Sequence, residues 1–138
     1  MRVLGLDVGE RRIGVALSDP LGLTAQRLTV LTRHGSAEDL DAVRSLVAEH
    51  GVERVIVGLP LTMRGARGPQ AQRIAAFADA LRRQVSVPVE YIDERLTTVQ
   101  GERALLATDT SRRKRKQVID QVAAQLILQQ YLDRSAAR

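Results

Sequence analysis

Two short segments limit the fold of this chain, because each is apolar on both of its alternating faces. In residues 2–8 (RVLGLDV) one face carries Val3, Gly5 and Asp7, and the other Leu4, Leu6 and Val8. Arg54–Leu59 (RVIVGL) is a β-branched apolar run of the same kind. Neighbouring side chains on a strand point to opposite sides. A strand apolar on both is covered on both, as interior strands are when helices pack above and below the sheet. The expected class is therefore α/β.

The rest of the chain supplies the other layers. Residues 2–8, a tight turn at Gly9–Arg11, Arg12–Ser18 (RIGVALS) and an extended segment Thr24–Thr32 read as an antiparallel meander. Ser36 is placed to cap a helix running to Glu49, with Leu40, Val43, Leu46 and Val47 on one stripe and Gly51 as its stop. After Arg54–Leu59, the Pro- and Gly-containing stretch Pro60–Pro69 is a loop. Gln70–Arg83 is a helix with Ile74, Phe77, Ala78 and Leu81 inward, and Val87–Ile92 is a strand. A short helix is expected over Glu102–Ala107, a basic connector over Ser111–Lys116, and a final helix over Val118–Leu132. The order βββαβαβ, then helices, predicts a mixed five-stranded sheet with helices on both faces. No repeat, low-complexity segment or compositional break divides residues 1–138, so one domain is expected.

Composition removes several classes of function. Hydrophobic residues make up 44%, enough for a core. The aromatics are Phe77, Tyr91 and Tyr131 alone, too few for the stacking platforms on which single-strand binders lay bases. The chain has no cysteine, hence neither disulfide nor thiolate zinc site, and it suits a reducing cytosol. Its two histidines, His34 and His50, do not make a His-rich centre. Any metal would take carboxylate oxygens, which favours Mg²⁺ or Mn²⁺. The opening MRVLGLDVG lacks the form of a secretion signal, and no apolar stretch approaches the ~20 residues that span a bilayer. A cytoplasmic protein without a membrane partner is expected. Net charge is +5 and the pI about 10.6, an excess that suits a polyanion such as nucleic acid.

Three positions carry carboxylates where a carboxylate is costly. Asp7 lies within the first buried strand; a free charge there is expensive unless it is paired or metal-bound. A turn-forming Asp beside Gly9 is the plainer reading. Glu94 follows Asp93 at the end of a strand parallel to the first, on the sheet edge where α/β sites collect. Only one of that pair can face Asp7, and spacing leaves open which; a solvated pair or helix cap is the plainer alternative. Asp120 shares a helix stripe with Ala124, Ile127 and Tyr131, although an acid in a helix's first turns also suits the dipole. Three acids from two strands and a helix can hold two divalent cations about 4 Å apart, an arrangement suited to phosphodiester hydrolysis.

Cations accompany these acids. Arg112, Arg113, Lys114, Arg115 and Lys116 are consecutive, just ahead of Asp120. Such runs are most often solvated segments. One that leads into a helix with a catalytic acid is better read as guiding phosphates. Arg64 and Arg67 lie in the loop after an interior strand, and Arg11, Arg12 and Arg95 flank the other two acids.

The segments GLDVGERRIGVALSD, VGLPLTMRG, DERLTT and IDQVAAQLILQQYL, spread over nearly the whole chain, resemble the YqgF (RuvX) family. That family is described as a pre-16S rRNA nuclease and as Holliday-junction-resolvase-like. The resemblance implies an RNase H-like fold, with Asp7, Glu94 and Asp120 as the acids, and so turns the Asp93/Glu94 choice toward Glu94. It implies a metal-dependent nuclease that matures the 5′ end of 16S ribosomal RNA. The alternative is a Holliday-junction resolvase, which would bring a homodimer with it because two strands are cut symmetrically. The loop departs from the family pattern at Thr62 and Arg64, where Asn and Asp are usual, so substrate preference is not carried over through it. GLDVG is also similar to the phosphate-binding hairpin of actin-like ATPases and sugar kinases, but those need a second such hairpin and a second domain. A non-catalytic RNA-binding scaffold is disfavoured because it would gain from losing the acids.

Overall fold

The computed structural model describes residues 1–62, 64–94 and 112–136, with Arg112–Val118 described through their backbone. The strands are β1 (Val3–Val8), β2 (Arg12–Ser18), β3 (Ala25–Thr32), β4 (Arg54–Leu59) and β5 (Val89–Asp93). The helices are α1 (Ser36–Glu49), α2 (Pro69–Arg82) and α3 (Arg112–Ala136). One five-stranded sheet runs β3-β2-β1-β4-β5. The first three strands pair antiparallel, whereas β1–β4 and β4–β5 pair parallel. The mixed sheet has helices on both faces, as strands apolar on both sides require. The short helix expected over Glu102–Ala107 lies outside the described residues.

The two faces of the sheet differ in side-chain size. Toward α1 and α2 it presents Leu4, Leu6, Val8, Ile13, Val15, Leu17, Val55, Val57, Leu59 and Val89, which meet Leu40, Val43, Ile74, Phe77, Ala78 and Leu81. Toward α3 it presents Val3, Ala16, Ile56 and Ile92 against Ala123, Ala124, Ile127 and Leu128. Gly5, Gly14 and Gly58 share that second face, where a Cβ on each would run into α3 or a group beneath it. Small residues on both sides let α3 lie close to the sheet.

Two local expectations are corrected. The basic run is not a connector: Arg112–Lys116 form the opening turns of α3. No Gly or Pro separates them from Val118, and Arg, Lys and Gln are strong helix formers. A charge run reports solvent contact, not a break in the helix. Ser36 is the first residue of α1 and not its cap; Gly35 precedes the helix, and no side chain caps it there. Asp39 ties down the entry instead. Its carboxylate accepts the His34 backbone N–H at 2.9 Å and Arg33 Nε at 3.0 Å. No helix among the described residues is long and apolar enough to cross a membrane.

Candidate active site

The site grows from a row of three residues running across the middle of the sheet. Asp7 on β1 is directly paired with Gly14 on β2. On the other side the β1–β4 register joins Leu6 to Val57, so its next step sets Gly58 beside Asp7. Laterally paired residues point to the same face, and here that is the α3 face. Each flanking glycine makes room for one of the other two acids. A Cβ on Gly14 would lie 2.0 Å from the Asp120 carbonyl oxygen and 3.2 Å from the Asp120 Cβ. A Cβ on Gly58 would lie 2.7 Å from Glu94 Oε1 and 2.5 Å from Ile127 Cδ1. Asp120 is therefore seated over the glycine on one side of Asp7, and Glu94 over the glycine on the other.

The same register separates the adjacent acids of β5. Asp93 is paired with Leu59, whose side chain belongs to the α1/α2 core, while Ile92 is paired with Gly58 on the α3 face. Glu94, one residue beyond the strand, returns to the α3 side with its carboxylate at Gly58. Asp7 is 7% exposed and Glu94 2%. Burying two carboxylates this deeply costs several kcal/mol in round terms, about 1–3 or more for each group, unless partners or a cation offset it.

Asp120 sits at the rim. Its Oδ2 accepts Arg12 Nε at 2.9 Å, and the two side chains are 21% and 26% exposed. With its carboxylate turned to Arg12, Asp120 does not close a ligand set. Among the described residues no group of three or more ligand-type side chains is gathered tightly enough to hold a metal ion. The donor chemistry nonetheless suits one. Asp7 and Glu94 are hard oxygen donors on one face, and the two glycines hold the space above the sheet open for carboxylates where a Cβ would fill it. An open cleft of about 340 Å³, lined by Gly9, Glu10, Arg11, Arg12, Ile119 and Asp120, leads to the Asp120 side of this patch.

The remaining cations fall in different places. Arg11 borders the cleft. Arg67 reaches over the Tyr91 ring at 5.3 Å, and Tyr91 packs against the α1/α2 core, so the structure does not bring this guanidinium to the acids. Arg64 is exposed in a tight turn closed by the Gly65 N–H on the Thr62 carbonyl. Arg95 lies outside the described residues, and so do the side chains of Arg112, Arg113, Lys114, Arg115 and Lys116. Sequence reasoning did not single out Gly14 and Gly58. A glycine inside an otherwise apolar strand marks a close backbone approach, and that signal was available at both. Sequence reasoning gave Arg12 only a shared role, as one of the cations flanking the acids.

The turn that follows Asp7 is tied to the opposite layer. Arg33 donates to the Gly9 carbonyl at 2.9 Å, pairs with buried Asp39 and lies over the Phe77 ring. Burial pushes the Asp39 carboxyl upward. The His34 backbone hydrogen bond and the Arg33 guanidinium outweigh that and hold it below the usual carboxylate value.

Comparison with known proteins places the chain in a family of nucleases. Residues 1–134 match the family RuvX, described as Holliday junction resolvase. A protein of Moorella thermoacetica named "Putative pre-16S rRNA nuclease" is 59% identical over 134 residues, 97% of this chain and 96% of that protein. One of the same name from Halothermothrix orenii is 50% identical over 133 residues, covering 96% and 95%. In three dimensions the chain superposes on Thermus thermophilus RuvC, solved with a Holliday junction substrate, at a TM-score of 0.62. The match has 15% identity and covers 99% and 96% of the two chains. The Fowlpox virus resolvase, also solved with junction DNA, gives 0.56 at 12% identity, with 98% and 99% covered. The fold is RNase H-like.

Proposed function

The chain belongs to the RuvX family, and from that premise and the two acids, Glu94 and Asp120, seated beside Asp7 we propose that it is a metal-dependent nuclease processing the 5′ end of pre-16S ribosomal RNA. The single observation that carries this reading is the glycine–Asp7–glycine row, with Asp120 over one glycine and Glu94 over the other. A sheet does not keep two empty positions beside a buried carboxylate for stability, since glycine within a strand weakens it. The arrangement makes sense as a carboxylate cradle.

Asp7, Glu94 and Asp120 would hold Mg²⁺ or Mn²⁺, and when bound such ions activate water and stabilise the leaving oxygen of a phosphodiester. The chain's own part is positional. Asp7 is fixed by its place in a central strand, Glu94 Oε1 and Ile127 both lie over Gly58, and Ile127 and Ala124 on the same helix are fully buried. Arg11 at the cleft and the cations Arg112–Lys116 at the opening of α3 would take the phosphate backbone. The first turn of α3 contains no acid. Five cations at the positive end of a helix dipole are mutually unfavourable, and a polyanion relieves that repulsion. Contacts of this type position a substrate without reading its sequence. One domain, 1–138, is enough for this scheme.

The family's description raises the second reading, a resolvase acting as a dimer on four-way DNA. The two are separated by offering matched precursor-rRNA and four-way-junction substrates with Mg²⁺, with Mn²⁺ and with EDTA. Cleavage of the rRNA at its 5′ end, abolished by EDTA, is the expected result. Symmetrical cutting of the junction alone would overturn it in favour of the resolvase. Asp7→Asn should retain fold and nucleic-acid affinity while cleavage falls at least a hundredfold, about 2.7 kcal/mol. Wild-type turnover in that variant would remove Asp7 from the site.

A further inference from the structure

Asp120 sits at the rim of the site, and among the described residues its carboxylate is paired with a cation. Arg12 Nε binds Asp120 Oδ2 at 2.9 Å, with each side chain about a quarter exposed, at the lip of the 340 Å³ cleft. Arg12 opens β2 on the face that carries Gly14, two residues on, and Gly14 is the residue over which Asp120 sits and which pairs with Asp7. The guanidinium therefore engages one oxygen, Oδ2, of the carboxylate that a divalent cation beside Asp7 would need. It cannot share that carboxylate cheaply with a second cation, because like charges at such range repel.

We infer that Arg12 is a positioning residue: it holds Asp120 away from the metal in the free protein and releases it when a substrate phosphate enters the cleft and takes the guanidinium. This rests on the reading of Asp7, Glu94 and Asp120 as the metal-holding acids. A phosphate diester offers Arg12 the same planar, paired acceptors that a carboxylate does. The exchange then leaves no charge unpaired: Arg12 passes from carboxylate to phosphate, and Asp120 passes from guanidinium to metal. Metal and nucleic acid consequently strengthen each other's binding, and by linkage the effect is reciprocal. The Asp120 carboxylate becomes available only where a phosphate is in place.

The test measures Mn²⁺ affinity by calorimetry on the full chain without nucleic acid. Asp120 is now held by a partly exposed ion pair, so Arg12→Ala should tighten Mn²⁺ binding by about two- to fivefold. Arg12→Lys should return most of the way to wild type. Arg11→Ala removes the same charge one residue away and should shift the affinity less, which separates release of Asp120 from a general loss of positive field. In an Asp120→Asn background, Arg12→Ala should change nothing. Circular dichroism and thermal unfolding of each variant exclude misfolding, and Arg12→Gln supplies a second neutral form. Unchanged or weaker Mn²⁺ binding in folded Arg12→Ala and Arg12→Gln overturns the inference, as does an equal shift in Arg11→Ala. Failure of the underlying reading looks different: with a cleavage-resistant phosphorothioate RNA duplex bound, so that Arg12 has released the carboxylate, Asp120→Asn would then bind Mn²⁺ as the wild type does. As a second readout, the same duplex should bind wild type more tightly when Mn²⁺ is added, and this gain should shrink in Arg12→Ala. A gain of equal size in both proteins counts against Arg12 as the link.

Discussion

The two faces of the sheet are built on opposite principles. Toward α1 and α2 nearly every inward position is Leu, Val, Ile or Phe, and large side chains interlock across the layer. Toward α3 the sheet offers Gly5, Gly14, Ala16 and Gly58, and the helix answers with Ala123 and Ala124. The first face buries apolar area, the main source of stability. The second gives much of that up so that backbone meets backbone: the Asp120 carbonyl oxygen lies where a Gly14 Cβ would be. Closeness is what brings an acid on a helix to an acid on a strand. Under the proposed reading of the acids, stability and chemistry are divided between the layers, and the division can be tested by disturbing each in turn.

The largest effect on stability should come from the thick face. Leu81 is fully buried at the end of α2, and Leu81→Ala should cost about 2–5 kcal/mol. Mn²⁺ affinity of the folded protein should stay the same, as seen by urea unfolding and calorimetry on one preparation. A large change in metal binding would mean the faces are not independent.

Gly14→Ala probes the thin face, and its added methyl meets rigid backbone at 2.0 Å and 2.5 Å. A loss of about 3 kcal/mol is expected, at the upper end for overpacking, with metal binding reduced as well because α3 must move. A variant as stable as wild type would show that α3 retreats at no cost. Gly58→Ala should be milder. Its methyl meets side-chain ends, Ile127 Cδ1 and Glu94 Oε1, which can swing aside. Stability should fall by about 1 kcal/mol, but displacement of Glu94 should lower cleavage about tenfold, a change in rate constant that single-turnover kinetics would detect.

The smallest effect concerns Asp39, which ties the turn after Asp7 to the thick face through Arg33. Its folded value lies below its unfolded value of about 3.9. The stabilisation it gives is therefore complete above about pH 4 and is lost as pH falls through the lowered folded value. Asp39→Asn should cost about 1 kcal/mol at neutral pH. The gap between its urea midpoint and that of wild type should narrow as pH drops below 4. A gap that stays constant to pH 2 would show that the carboxylate's charge is not what matters.

Much of this division is written in local pattern. The bounds of β2 and β4 coincide with those expected from alternation, and α1 ends at the expected Glu49. Local pattern failed where charge was taken for conformation, at Arg112–Lys116, and where a serine was taken for a cap, at Ser36. The two errors have different causes. At Arg112–Lys116 the residues' own helix preference prevailed over a reading from charge; at Ser36 a capping preference worth about 1 kcal/mol gave way to the hold of Asp39 on the helix entry.

By itself the sequence determined that β1 and β4 are covered on both sides, because an apolar strand admits no other placement in water, and that acids stand at Asp7, Glu94 and Asp120. Only the tertiary structure decided that Glu94 and not Asp93 faces α3, since strand register assigns each residue its face and register is fixed by pairing with β4. It alone decided that Gly14 and Gly58 flank Asp7, and that Arg12 meets Asp120 across 108 positions of chain. Alternation and periodicity are short-range properties, set by backbone geometry within a few residues. Which carboxylate stands beside which, and which cation holds it, depends on contacts between distant segments, and these exist only once the sheet has formed and α3 has settled on its glycines.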